Sequence, residues 1–159
     1  MKRVPLSHSL SAAVLVAGVA VVLSVHAANT GSVVITATVP SQCNITVTPA
    51  SGANIADLTT GNTNLKVATV NESCNAPDGY YVNITGTNSG TYTGQFRSSG
   101  GSTQPFSVSY NGSNVNATRI TDATAPANVN KDVNITYAAN AGLTAATYTE
   151  TLNFVITAK

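Results

Sequence analysis

No segment of residues 28–159 repeats its apolar side chains at the helical interval of 3.6 over a helical length; wherever a pattern exists, its period is two. An extended backbone points successive side chains to opposite faces, so an alternating sequence offers one apolar and one polar face. The first such run is 31–39, which sets Gly31, Val33, Ile35, Ala37 and Val39 on one side. Further runs lie at 43–47, 65–69, 80–85, 106–110, 133–137 and 148–156. Each carries its apolar residues on one side only, as a half-buried antiparallel sheet requires. Between them lie turn-forming clusters at 49–52, 75–79, 88–90, 98–101, 111–112 and 125–126. Short strands at this spacing predict an all-β sandwich. Asn111-Gly112 predicts a tight hairpin between 106–110 and 115–120.

Residues 1–27 read as an export signal: Lys2 and Arg3 precede an apolar and small-residue run over 10–23, and Val25-His26-Ala27 forms a small-residue cleavage site. The expected mature chain, 28–159, is one domain's worth of sequence. It sets Lys66, Arg97, Arg119, Lys131 and Lys159 against Asp57, Glu72, Asp78, Asp122, Asp132 and Glu150. Such sparse, balanced charge offers no basic face, and nucleic-acid binding is not expected. Both histidines, His8 and His26, lie in the signal, and the chain has no tryptophan. Without histidine the usual general base and the commonest metal ligand are missing, so no enzyme activity, cofactor, metal or small-molecule substrate is expected. Cys43 and Cys74 are the two cysteines, and in an exported chain they are expected to pair. Closing a loop of roughly 30 residues is worth about 3–4 kcal/mol in the chain-entropy estimate.

Taken in order, the 31–39 run, Pro40-Ser41-Gln42 before Cys43, the second cysteine at Cys74, Tyr80-Tyr81-Val82-Asn83-Ile84 and the closing 146–156 segment resemble bacterial chaperone–usher pilins. The likeness is nearest the archaic branch and the related spore coat protein U-type domains. It implies an immunoglobulin-like sandwich lacking its last strand, with an apolar groove where that strand belongs. A periplasmic chaperone fills the groove first; at an outer-membrane usher the N-terminal extension of a neighbouring subunit then replaces it. By this resemblance residues 28–42 are the donor extension and hinge, 43–159 the pilin-like domain, and Gly31, Val33, Ile35, Ala37 and Val39 the donor residues. Cys43–Cys74 matches the pilin disulfide, and Tyr148, Leu152, Phe154 and Ile156 line one wall of the acceptor groove. The function implied is that of a structural subunit of a surface fimbrium supporting adhesion or biofilm formation. Ala146 and Glu150 stand where the family usually shows Gly and Asp, and Ala37 is a smaller donor residue than usual.

Period-two alternation in 31–39 equally describes the first strand of a self-contained sandwich. A secreted coat domain folding as a closed monomer, or a carbohydrate-binding module, is therefore the alternative. The Asn-x-Ser/Thr triplets at Asn44, Asn71, Asn83, Asn111, Asn116 and Asn134 read as the solvated faces of strands.

Overall fold

The computed structural model describes residues 30–55, 57–117, 119–123 and 127–159; the export signal expected over 1–27 lies outside the described residues. The chain divides into an N-terminal unit ending at Ala37 and a second unit beginning at Thr38. In the first unit, residues 30–37 carry no regular secondary structure and are exposed.

The described residues of the second unit form ten strands: β1 (Cys43–Pro49), β2 (Asn62–Cys74), β3 (Tyr80–Gly86), β4 (Gly94–Ser98), β5 (Thr103–Tyr110), β6 (Ser113–Asn114), β7 (Arg119–Ala123), β8 (Ala127–Tyr137), β9 (Tyr148–Thr149) and β10 (Leu152–Ala158), with one 3-10 turn at Ser51–Ala53. The larger sheet runs β1-β2-β8-β5-β4-β9, with β6 beside β5, and the smaller runs β10-β3-β7. Every pairing is antiparallel. The core is built from every second residue of four strands: Ala68, Val70 and Cys74; Tyr80, Val82 and Ile84; Phe106, Val108 and Tyr110; Val133, Ile135 and Tyr137. This is the all-β antiparallel sandwich expected from the period-two pattern.

Alternation located the centres of strands better than their ends. Expected over 65–69, β2 extends to Cys74, and β8 begins at Ala127 rather than near Val133. The reason lies in an inward acid and an inward base. Glu72 faces the core and its carboxylate meets Lys131 Nζ at 2.8 Å, so each charge sits at a core-facing position of a strand. On the opposite face Asn71 Nδ2 donates to Asn128 Oδ1 (3.0 Å) and Asn130 Oδ1 (2.9 Å), which tightens a stretch whose polarity hides a strand.

The Asn111-Gly112 hairpin is present. Both residues have positive φ, 52° and 80°, as the favoured two-residue turn demands. Its return strand differs from expectation, for β6 stops at Asn114 and the chain then crosses to form β7 beside β3 in the other sheet. The closing run also needs correction, because it is two strands in two sheets. Tyr148 and Thr149 pair with β4, whereas Leu152–Ala158 pairs with β3. Glu150 stands at the break. Its Oε1 accepts the amides of Thr151 (2.8 Å) and Asn88 (3.0 Å), and its Oε2 accepts that of Gln95 (3.0 Å). The carboxylate takes up backbone donors where the chain leaves one sheet for the other.

Candidate functional site

Among the described strands each sheet has two end strands paired along one side only, β1 and β9 in the larger and β10 and β7 in the smaller, and two of these, β1 and β10, meet. β1 bonds to β2, and β10 bonds to β3. The two lie close to each other at the same margin of the sandwich. They run in opposite directions: Cys43 and Ala158 belong to the end marked by Cys74 and Tyr80, and Pro49 and Leu152 to the end marked by Ala68 and Gly86.

The sandwich is open between these edges. A cavity of about 270 Å³ is walled by Val47 and Pro49 of β1 and by Leu152 and Phe154 of β10, with Val67, Ala68, Val133, Ile135 and Phe106 as its floor. It opens to solvent and is lined mostly by branched and aromatic side chains, so part of the sandwich's apolar surface is left uncovered here. Val47 is 40 % exposed although it follows Cys43 and Ile45 on the inward face of β1. Ala53, Ile55 and Phe96 border this cavity and also a second one of about 450 Å³, which is lined by Leu58, Leu143 and Tyr148. The groove therefore continues past the end of β10.

Of the four residues expected along the groove, Leu152 and Phe154 line the first cavity. Tyr148 lines the second, from β9 rather than from the strand that carries Leu152. Ile156 is half-buried against the core and borders neither cavity. The sequence reading missed Val47, Pro49, Ala53 and Ile55. Alternation from Cys43 is the available signal for Val47 and Pro49; Ala53 and Ile55 lie beyond the end of β1, where no periodicity points inward.

The expected donor residues occupy no strand. Residues 30–42 lack regular secondary structure, with Val33 82 %, Ile35 87 % and Val39 82 % exposed and Gly31 and Ala37 also exposed. Four large apolar side chains in ten residues, Val34 included, are thus left to water.

Next to this segment the chain is tied down. Cys43 and Cys74 face each other across β1 and β2 and form the disulfide. One residue further out, Gln42 donates its amide to Asn75 Oδ1 (2.6 Å) and accepts from the Asn75 amide (3.0 Å), and Asn75 Nδ2 donates to the Pro40 carbonyl (3.1 Å).

Two residue pairs inside the disulfide, opposite Ile45, lies the buried polar cluster. Glu72 has no exposed surface; it pairs with Lys131 and accepts the hydroxyls of Tyr80 (2.8 Å) and Tyr110. Burial, followed by hydrogen bonding to Glu72, pushes both phenols well above the usual tyrosine range. With no path to solvent for the carboxylate, the cluster is suited to holding strands in place. Among the described residues no group of three or more His, Cys, Asp or Glu side chains is placed to hold a metal ion.

No protein-family model matches the chain, and no curated protein matches it significantly in sequence.

Proposed function

We propose that this protein is a structural subunit that polymerises head to tail by donating its 31–39 segment to the groove of a neighbouring subunit, as the building block of a surface fimbrium supporting adhesion or biofilm formation. The observation that carries the reading is the open apolar groove between the unpaired edges of β1 and β10. An added strand there satisfies two needs at once. Its backbone completes the hydrogen bonding of an exposed edge, and its alternate side chains fill the cavity. Val33, Ile35 and Val39, which an extended backbone would set on one face, are with Val34 the most exposed large apolar residues among those described. Burying each contributes on the order of 1.5–3 kcal/mol, to which a ladder of main-chain hydrogen bonds adds. A donor and an acceptor at different places on one molecule make a heterologous contact, and repetition of that contact gives a filament. Export, a periplasmic chaperone to cover the groove before assembly and an outer-membrane usher to exchange its strand complete the reading, by resemblance to chaperone–usher pilins.

The test is a non-boiled denaturing gel of the exported protein, with and without a synthetic peptide of residues 28–42. Strand exchange gives an SDS-resistant ladder that collapses on boiling and shortens when the peptide caps the groove. A single cooperatively melting monomer, indifferent to the peptide, overturns the reading in favour of a closed domain.

A further inference from the structure

An open groove and a matching strand on one chain create a conflict. When donor and acceptor are joined by a short linker, the effective concentration of one for the other is on the order of millimolar, unless the linker cannot bring them together. A subunit at micromolar concentration therefore fills its own groove before it meets a neighbour, unless its joint forbids the turn. The self-filling route is simple in outline: the chain reverses within residues 40–42, so that 31–39 lies back along the free edge of β1.

The joint is built against that reversal. Gln42 presents both its amide and its carbonyl to Asn75, which continues the β1–β2 pairing one step past Cys43 and Cys74. Asn75 then extends the ladder with its side chain, reaching the carbonyl of Pro40. Residues 40–42 thus run on in line with β1, fastened along its β2 side rather than its groove side. Pro40 brings a fixed φ and restricts Val39 before it to extended conformations. The joint contains no Gly, Asn or Asp to supply the positive φ of a tight hairpin turn.

Resting on the strand-acceptor reading above, we propose that Asn75 is a positioning residue that keeps the joint in line with β1, so that the 31–39 segment is withheld from its own groove and left for another copy of the chain. The disulfide anchors the clamp, because it holds Cys74, and hence Asn75, opposite the start of β1. Asn75 acts on the choice between self-filling and exchange, and contributes no surface to the groove itself.

The experiment uses the full exported chain as wild type, Asn75→Ala and Asn75→Asp, compared by the ratio of compact monomer to SDS-resistant ladder on non-boiled gels. The same substitutions are repeated on an Ile35→Asp background, where the donor is disabled, and probed with a fluorescent peptide of residues 28–42. Loss of both side-chain hydrogen bonds in Asn75→Ala is expected to shift the ratio roughly tenfold toward monomer. That monomer should refuse the peptide, because its groove is already filled. Asn75→Asp keeps an acceptor for the Gln42 amide and loses the donor to Pro40, so it should fall between. Peptide uptake by Ile35→Asp/Asn75→Ala equal to that of Ile35→Asp alone establishes that the domain folds. A ladder unchanged by Asn75→Ala, or a monomer that still takes up peptide, overturns the clamp and leaves strand exchange standing. If Asn75→Ala does not fold, an unchanged ladder from Asn75→Asp overturns it equally. Failure of Ile35→Asp to take up the peptide removes the acceptor groove itself, and the clamp with it.

Discussion

Glu72 is an acid at a core-facing position of β2, and its cost is offset by three partners, Lys131, Tyr80 and Tyr110, contributed by three other strands. Removing one side of a buried pair leaves the other charge uncompensated, which costs about 3–5 kcal/mol, whereas replacing both by apolar residues is often neutral. Glu72→Leu alone is therefore expected to lower unfolding stability by about 3 kcal/mol or more, and Glu72→Leu with Lys131→Met to recover only the part due to the stranded Lys131 charge, since the Tyr80 and Tyr110 hydroxyls still lack their acceptor. A denaturant-based double-mutant cycle reads it, and additive single effects would contradict the pairing. The phenols make a second prediction. Tyr80 and Tyr110 have folded pKa values raised by burial and by Glu72, so above pH about 10 the unfolded chain gives up these protons while the folded chain keeps them. Their stabilisation is complete below the unfolded pKa and declines as pH rises toward the folded values. Stability is thus expected to fall from pH 10 upward, and to fall less steeply in Tyr80→Phe/Tyr110→Phe; equal slopes would count against the coupling.

At the scale of elements, the transfer of the chain from β9 to β10 creates the groove's far end, and Glu150 holds that transfer. Its three amide donors come from the loop after β3, from β4 and from the start of β10. Asn88 reinforces the junction by donating through Nδ2 to the carbonyls of Thr149 (2.6 Å) and Gln95 (3.0 Å). Hydrogen bonds to a charged group contribute about 1.5–3 kcal/mol each, and partial solvation reduces that here. Glu150→Ala is expected to destabilise the domain by about 2–4 kcal/mol and Glu150→Gln by less, since one carbonyl oxygen remains to accept. Thermal melts check the order. Because Glu150 and Thr151 border the cavity beside Leu152, the Ala variant should also bind the 28–42 peptide more weakly than wild type.

For the molecule as a whole, the disulfide matters most while the groove is empty. Cys43–Cys74 fastens β1, one of the two strands that border the apolar groove. Replacing both cysteines by Ser is expected to cost about 2–5 kcal/mol in the monomeric chain. A groove-binding peptide stabilises by mass action, about 2.7 kcal/mol at a concentration 100 times its Kd, and should restore much of the lost melting temperature. A double Ser variant that melts like wild type would remove the disulfide from the account of stability.

The sequence by itself determined that the fold is made of strands, which residues face inward along the runs that alternate, such as 80–85, 106–110 and 133–137, and where the Asn111-Gly112 hairpin turns. These are local matters: alternation follows from the geometry of one extended backbone, and a positive-φ turn from its two residues. Leu152 and Phe154 were legible for the same reason. Which strand lies beside which was not legible, because a period of two specifies a face and says nothing of the neighbour. Only the tertiary structure divides 148–158 between two sheets, brings Glu72 and Lys131 together inside the core and turns polar stretches into the ends of β2 and β8. The groove belongs wholly to that level. It is a gap between β1 and β10, strands far apart in the chain, and a gap has no residues of its own to leave a pattern in the sequence.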